Sequence, residues 1–366
     1  MDIVDTQIHI PRMVVDGWPS GRRAAEAEAP RREAPGVPLV EPADRDVILA
    51  ATITAMDAAG VGALVIDEWL GQNDHGISEP GEPVGDGGVR WNFDFSTYAV
   101  ARYPERFSFL SRVHPLDPEL DEVVARLAAI PGMRALRADP LPWLDDIDRF
   151  ADGGYAPLFR AAARHGVPMM VWSSGRFLPN LEQYLEAFPQ VQFILDHMGV
   201  SVLSDFERVF ELGRRHENLA VKWSTAETRS TTVFPYPDVM AYLVRALEVF
   251  GPRRIMWASD WSEHKLQVSW ASAYQWILSS GELSADDREW ILGRSARTTL
   301  HWPATGTEPG SGLYLDCSMT HPMIRIVGAT EAEFLAAARQ HLSAWHPHQI
   351  GDDQLLALAR RWSSMP

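Results

Sequence analysis

The fold is decided by residues 254–261, RIMWASDW, an apolar run that stops on the carboxylate of Asp260. A buried strand ordinarily ends in turn residues such as glycine, asparagine or proline. Residues 3–9, IVDTQIH, and residues 194–197, ILDH, also end on side chains that bind metals. Side chains at the carboxyl ends of parallel barrel strands converge on one open face, so these three segments predict a shared metal site.

Strand-like apolar runs alternate with helix-like periodic segments along most of the chain, a pattern typical of a parallel α/β fold. Eight such runs precede residue 303, and eight is the strand number of a (β/α)8 TIM-type barrel. We therefore predict a metal-binding barrel over residues 1–303. A Gly/Thr/Pro-rich linker and a small, mostly helical extension are expected over residues 304–366.

Composition excludes several classes of protein. The 366-residue chain carries a formal net charge of -16, which argues against nucleic acid and anionic membranes as partners, because both are bound through basic patches. No apolar run reaches the length of a membrane span, and a cytoplasmic protein is expected. The single cysteine, Cys317, leaves histidine, carboxylate and amide side chains as the donors available to a metal.

On these residues the chain resembles the amidohydrolase superfamily, in its lactonase and decarboxylase branch. The matching pieces are IVDTQIH at 3–9, LDHMG at 195–199, VKWS at 221–224, MWASDW at 256–261 and ILGRSA at 291–296. The resemblance implies metal ligands at His9, His197 and Asp260, with Asp260 and His197 also catalytic. The family carries His-x-His on its first strand, where this chain has Gln7, and its next ligand position falls at Trp172 or Ser173.

Other metal-binding side chains occur near the same face and suggest a rebuilt site. Glu68 ends the second strand, and Glu263 and His264 follow Asp260 closely. Each has a plainer interpretation: Glu68 as a solvated strand end, the other two as surface residues. Gln7 is either a weak oxygen ligand or a hydrogen-bond partner of one.

Strand ends also carry side chains suited to binding a substrate. These candidates are Trp69, His114, Arg137, Trp172, Lys222 and Trp261. Arg137 and Lys222 are expected either to bind an anionic part of the substrate or to form a salt bridge inside the barrel mouth. The tryptophans either line an apolar pocket or belong to the core, as most tryptophans do.

Three histidines and three carboxylates could hold two ions, and this mixture suits non-haem iron. One branch of amidohydrolase-type barrels, the non-haem di-iron monooxygenases of platensimycin and platencin biosynthesis, resembles this arrangement. That resemblance implies two iron ions, an electron donor, and hydroxylation of an unactivated C–H bond in a bulky apolar, terpenoid-like substrate, with a carrier thioester such as CoA as its handle. A homo-oligomer is compatible with the C-terminal extension.

Two alternatives remain open at this point. The first is a mononuclear zinc or manganese hydrolase or decarboxylase, in which the ion polarises a carbonyl and lowers the pKa of bound water. The second is a barrel that binds a small molecule without catalysis. The number of metal-binding side chains argues against the second alternative.

Overall fold

The computed structural model describes most of the barrel and part of the C-terminal region. Described are residues 1–11, 40, 42–69, 88–140, 147–200, 202–264, 269–302, 313–317, 324–328 and 350–363, with short pieces of 72–84 and 331–342. Residues 12–39 lie outside the described residues. Among the described residues, no helix has the length and apolar character needed to cross a membrane.

Eight parallel strands form one nearly closed barrel in simple sequential order, which confirms the predicted (β/α)8 fold. The strands are β1 Val4–Pro11, β2 Ala63–Trp69, β3 Phe107–Arg112, β4 Met133–Ala138, β5 Met169–Val171, β6 Phe193–Leu195, β7 Leu219–Ser224 and β8 Ile255–Ala258. Two short antiparallel hairpins, Gln72–Asn73 with Gly76–Ile77 and Gly81–Val84 with Gly88–Trp91, follow β2.

Helices occupy the connections between the strands, as the alternating pattern predicts. They are α1 Arg45–Ala59, α2 Asp94–Arg102, α3 Leu120–Ala128, α4 Ile147–Ala151, α5 Ala156–His165, α6 Leu178–Ala187, α7 Phe206–Arg215, α8 Pro237–Phe250, α9 Trp261–His264, α10 Ser272–Leu278, α11 Ala285–Glu289 and α12 Ser295–Thr299.

The barrel interior is packed with one layer of apolar side chains, to which every strand contributes. Its members are Val4, Val65, Leu110, Ala135, Met170, Ile194, Ala220 and Met256. Because side chains alternate between the two faces of a strand, the next inward position lies two residues further on. On β2, β3, β4 and β7 that position carries Asp67, Arg112, Arg137 and Lys222, so the interior changes from apolar to charged within one layer.

β1 and β8 close the barrel through side-chain hydrogen bonds. The Thr6 hydroxyl donates to the Trp257 carbonyl at 2.7 Å. The Asp5 carboxylate accepts from the Ser259 amide at 2.9 Å and from the Trp270 indole at 2.7 Å. Burial raises the pKa of Asp5 to about 6. These bonds fix the segment that immediately precedes Asp260.

The chain divides into two compact units. The first comprises residues 1–52 and 61–302, and the second comprises residues 53–60 and 303–366. In the second unit, β9 Leu313–Cys317 pairs antiparallel with β10 Ile324–Gly328, and α13 spans Asp352–Ser363. Its own small core contains Phe334, Ala338, Leu355 and Ala359. The strand pair is an addition to the helices expected there.

Candidate active site at the barrel mouth

Charged side chains form a paired network directly above the apolar layer. Asp67 is fully buried and accepts hydrogen bonds from both Arg112 and Arg137. Both guanidinium groups also pair with Asp139 at 2.9 Å. Burial alone would raise the pKa of Asp67, but the two arginines hold it well below its usual range. Asp67 is therefore a permanent anion.

The network continues across the barrel to β6 and β7. Asp196 lies 2.9 Å from Arg137 Nε and 2.5 Å from Lys222 Nζ. Lys222 also donates to Gln7 Oε1 at 2.6 Å. Although burial opposes ionisation, Lys222 and Arg137 lower the pKa of Asp196. We call the six charged residues of this network the ionic layer: Asp67, Arg112, Arg137, Asp139, Asp196 and Lys222.

The ionic layer is balanced in charge, because three carboxylates face three cations. Arg137 and Lys222 are almost completely buried, with side-chain exposures of 1% and 0%. Of the two roles expected for them, the structure shows the salt bridge inside the barrel mouth. Their charges are paired with carboxylates inside the protein.

Asp260 lies above the ionic layer, between the two histidines of the predicted site. One oxygen is 3.2 Å from His9 Nε2, and the other is 4.0 Å from His197 Nε2. On the far side of its ring, His9 Nδ1 faces Asp67 at 3.5 Å. His197 Nδ1 is hydrogen-bonded to the Ser224 hydroxyl at 2.8 Å. The structure thus brings His9, His197 and Asp260 together, with their metal-binding atoms directed at one another.

The backbone at these strand ends is strained. His197 and Asp260 have positive φ angles of 49° and 48°, and Thr225, which follows β7, has 54°. Residues other than glycine rarely adopt this region, and such residues cluster at functional sites. Burial lowers the pKa of His197 to about 3. Its imidazole is therefore neutral near pH 7, the form that binds metals.

Gln7 replaces the first histidine of the family's strand-1 pattern and performs a different task. Its carboxamide oxygen accepts from Lys222, and its nitrogen faces His9 Nε2 at 3.3 Å. Both ends of the amide are therefore engaged with neighbouring side chains. This arrangement matches the hydrogen-bonding interpretation of Gln7.

Glu68 does not face the barrel mouth with its neighbour Asp67. It accepts hydrogen bonds from the Ser96 amide at 2.9 Å and the Ser96 hydroxyl at 2.7 Å, and its other oxygen accepts from the Phe95 amide at 3.4 Å. These are amides of the first turn of α2, which have no partner inside the helix. Glu68 is thus a helix-capping residue, and the expected ligand role does not fit its position.

The remaining predicted residues have varied positions. Trp172 contacts His197 edge-on with ring centroids 5.8 Å apart, so it borders the site. Trp261 instead stacks on Trp270 with centroids 5.5 Å apart. His114 lies just beyond β3 and accepts from the Leu116 amide.

Three other predicted residues have side chains outside the described part of the structure. They are Trp69, Glu263 and His264. No statement about metal or substrate binding by these three follows from the structure.

The sequence interpretation missed Asp67, Arg112 and Glu227. Glu227 and Arg229 lie in the turn that follows β7, close enough to Asp260 for their charges to interact with it. The signal was available in the sequence, since residues 225–229, TAETR, place two charged side chains directly after a strand end.

The donors at the mouth fit one metal ion in type and charge. The ionic layer neutralises itself, whereas His9, His197 and Asp260 provide neutral imidazole nitrogen and one anionic oxygen, a set suited to zinc or manganese. A tighter group of potential ligands lies elsewhere, at Glu182, Glu186 and His216, whose ligand atoms are all within 4.8 Å of one another. Among the described residues this is the only group of three histidine, cysteine or carboxylate side chains that meets this distance. The donors at the mouth are spread more widely.

Comparison with known proteins identifies the family. The model of the amidohydrolase family matches residues 4–302. The chain belongs to this family. A curated relative, an L-fucono-1,5-lactonase from Burkholderia ambifaria, is 25% identical over 166 residues, 42% of this chain and 54% of the relative. The chain thus spans about half the length of this relative.

Solved structures show the same fold at low identity. An amidohydrolase from Burkholderia multivorans with bound zinc is 19% identical, with a TM-score of 0.56 over 83% of this chain and 100% of that chain. A putative 2-pyrone-4,6-dicarboxylic acid hydrolase from Pseudomonas putida is 18% identical, with a TM-score of 0.57 over 82% and 98%.

A 5-carboxyvanillate decarboxylase from Sphingomonas paucimobilis is 17% identical, with a TM-score of 0.54 over 82% of this chain and 99% of that chain. The relatives are hydrolases and a decarboxylase. The predicted di-iron monooxygenase, an oxidoreductase hydroxylating a C–H bond, is therefore wrong. The expectation rested on a count of ligand types that included Glu68, whose carboxylate caps α2.

Proposed function

We propose that this chain hydrolyses a lactone, with Asp260 as the general base that activates water. The observation that carries the proposal is the position of Asp260, whose two oxygens face His9 Nε2 and His197 Nε2 at 3.2 and 4.0 Å. The similarity to a curated lactonase and to the fold of a pyrone hydrolase supports ester hydrolysis as the reaction class.

In this reaction an Asp260 oxygen takes a proton from water while the water oxygen attacks the lactone carbonyl. The acyl carbon becomes tetrahedral, the bond to the ring oxygen breaks, and the product is an open-chain hydroxy acid. A positioned base contributes roughly 10²–10⁴-fold to such a step. His9 holds Asp260 in place from one side, and Asp67 behind His9 fixes the orientation of that ring.

A single divalent ion would be held by His9, His197 and Asp260. Zinc or manganese held there would supply a Lewis acid for the lactone carbonyl and would lower the pKa of a bound water. The neutral His197 ring, oriented by Ser224, is ready for that role. The ionic layer meanwhile keeps Lys222 and Arg137 paired below the reacting groups.

The proposed substrate is a small uncharged cyclic ester. Trp172 supplies an aromatic wall beside His197, and an apolar ring face packs well against such a surface. Because Arg137 and Lys222 are paired inside the protein, no cation of the ionic layer is left for a substrate carboxylate.

The test is lactone opening by the purified protein on a panel that contains L-fucono-1,5-lactone and simple aryl lactones. A pH indicator monitors the acid that is released when the lactone opens. Asp260→Asn should lower kcat by about 10²–10⁴-fold, because the amide cannot accept the proton. The matched control is Asp152→Asn, at an exposed carboxylate in the turn after α4, which should leave kcat unchanged. An Asp260→Asn enzyme with the full rate would refute the role of Asp260.

A further inference from the structure

Glu227 is a buried carboxylic acid that the proposed chemistry has not yet used. It lies in the short 3-10 turn Ala226–Arg229, directly after the carboxyl end of β7. Thr225, the residue before this turn, has a positive φ of 54°. Glu227 therefore lies at the same end of the barrel as Asp260, and the charges of the two residues interact.

One oxygen of Glu227 has no hydrogen-bond partner among the residues that the structure describes. The residue is 8% exposed, and its Oε1 atom is buried and unsatisfied. Its backbone amide is the hydrogen-bond donor found for the carboxyl group. A buried polar atom without a partner costs about 1–3 kcal/mol, so such atoms in native proteins call for an explanation.

The nearby cation does not neutralise Glu227 through a direct bond. Arg229 donates to the Val200 carbonyl at 3.1 Å and to the Thr225 carbonyl at 3.0 Å. Its guanidinium also donates to the Thr225 hydroxyl, so its hydrogen bonds go to Val200 and Thr225. Asp260 and Asp5 also act on Glu227, and both carboxylates disfavour a further negative charge there.

These surroundings favour the protonated form of Glu227. Burial, together with the neighbouring carboxylates, raises the pKa of Glu227 to about 7. A site that holds one carboxylate ionised and another protonated has the groups needed for paired base and acid work. Asp260 with its two histidines is the first group, and Glu227 is the second.

We propose that Glu227 is the general acid of this site and protonates the ring oxygen of the lactone as the acyl–oxygen bond breaks. This inference rests on the proposed lactone hydrolysis. The water proton goes to Asp260, the hydroxyl goes to the acyl carbon, and the Glu227 proton goes to the leaving oxygen. A proton then returns from Asp260 to Glu227 through solvent, and the enzyme is restored.

The test exploits the leaving group. δ-Valerolactone releases a strongly basic alkoxide, which needs a proton as it leaves, whereas dihydrocoumarin releases a weakly basic phenolate, which does not. Glu227→Gln should lower kcat for δ-valerolactone by about 10²–10³-fold and for dihydrocoumarin by less than about tenfold. It should also abolish the fall in rate on the alkaline side of the valerolactone pH profile.

Two variants guard against a trivial loss of fold. Glu227→Asp keeps a carboxylic acid at this position and should retain more δ-valerolactone activity than Glu227→Gln. Thermal melting followed by circular dichroism shows whether Glu227→Asp and Glu227→Gln are folded. Glu248→Gln, at an exposed position of α8, is the matched control and should match the wild type on both substrates.

The outcomes separate the two proposals. Equal loss of both activities in Glu227→Gln, or unchanged valerolactone turnover, overturns the role of Glu227 and leaves the hydrolase intact. A wild-type protein that opens neither lactone, nor any lactone of the panel, overturns lactone hydrolysis and the acid role with it.

Discussion

The ion pair between Lys222 and Asp196 is expected to contribute strongly to the stability of the barrel. Lys222 Nζ is fully buried between Asp196 Oδ1 at 2.5 Å and Gln7 Oε1 at 2.6 Å. Lys222→Met preserves the bulk of the side chain and removes only the ammonium. Asp196 then retains Arg137, and Gln7 loses its donor.

The magnitude follows from these contacts. Removing one member of a buried pair costs roughly 3–5 kcal/mol, and the remaining Arg137 contact places this loss near the lower end. An unsatisfied buried acceptor at Gln7 adds about 1 kcal/mol. The expected total of about 4 kcal/mol corresponds to a fall in Tm of roughly 6 °C for a barrel of this size, from an unfolding entropy of about 2.1 cal/mol/K per residue. Typical stabilities of about 5–15 kcal/mol leave the variant folded at room temperature.

The assay is urea unfolding of the wild type, Lys222→Met, Asp196→Asn and the double variant. A coupling free energy of at least about 2 kcal/mol is expected, because both single changes break the same contact. The control is Arg164→Met, which breaks an ion pair with Asp121 whose side chains are 56% and 44% exposed; it should cost less than about 1 kcal/mol. Additive single effects, or a loss for Lys222→Met as small as the control's, would refute the reasoning.

Two further predictions concern residues away from the reacting groups. Burial raises the folded-state pKa of Glu68 from 4.5 to about 7. The contribution of Glu68 to stability is therefore complete below the lower pKa and is lost as pH rises through the higher one, so the unfolding free energy of Glu68→Gln should fall less than that of the wild type between about pH 5 and about pH 8. Parallel curves of unfolding free energy against pH for the two proteins would contradict this. A Cβ on Gly293 would lie 1.9 Å from the Asp2 carbonyl oxygen, so Gly293→Ala should lower Tm through a cost of about 1–3 kcal/mol, whereas Gly281→Ala, with nothing within 4 Å, should melt like the wild type.

The barrel was predictable from sequence because its strands are short apolar runs separated by amphipathic helices. The three strand-end segments that led to the site also proved informative. His9, His197 and Asp260 meet at the mouth as the convergence of parallel strands requires. It was harder to predict which residues of each strand point into the barrel. β2 is buried on both faces, so hydrophobicity does not reveal whether Asp67 or Glu68 points inward.

That ambiguity explains the main error at the site. The sequence predicts Glu68 as a ligand, but Asp67 faces the interior and Glu68 caps α2. The correct choice follows from counting two residues on from Val65, which belongs to the interior layer. The hydrogen bonds of Glu68 to Ser96 join residues 28 apart in sequence, and no local pattern indicates them. A tally of ligand types cannot replace such geometry.

The balanced charges of the ionic layer bear on how the protein matures. In small zinc domains the metal supplies the folding free energy, so the chain stays unfolded until the ion arrives. Here Lys222, Arg112 and Arg137 already neutralise the carboxylates beneath the mouth. We therefore expect the barrel to fold without a metal ion. An ion held at Asp260, as proposed above, would then bind to protein that is already folded, so its acquisition would be a late and reversible step.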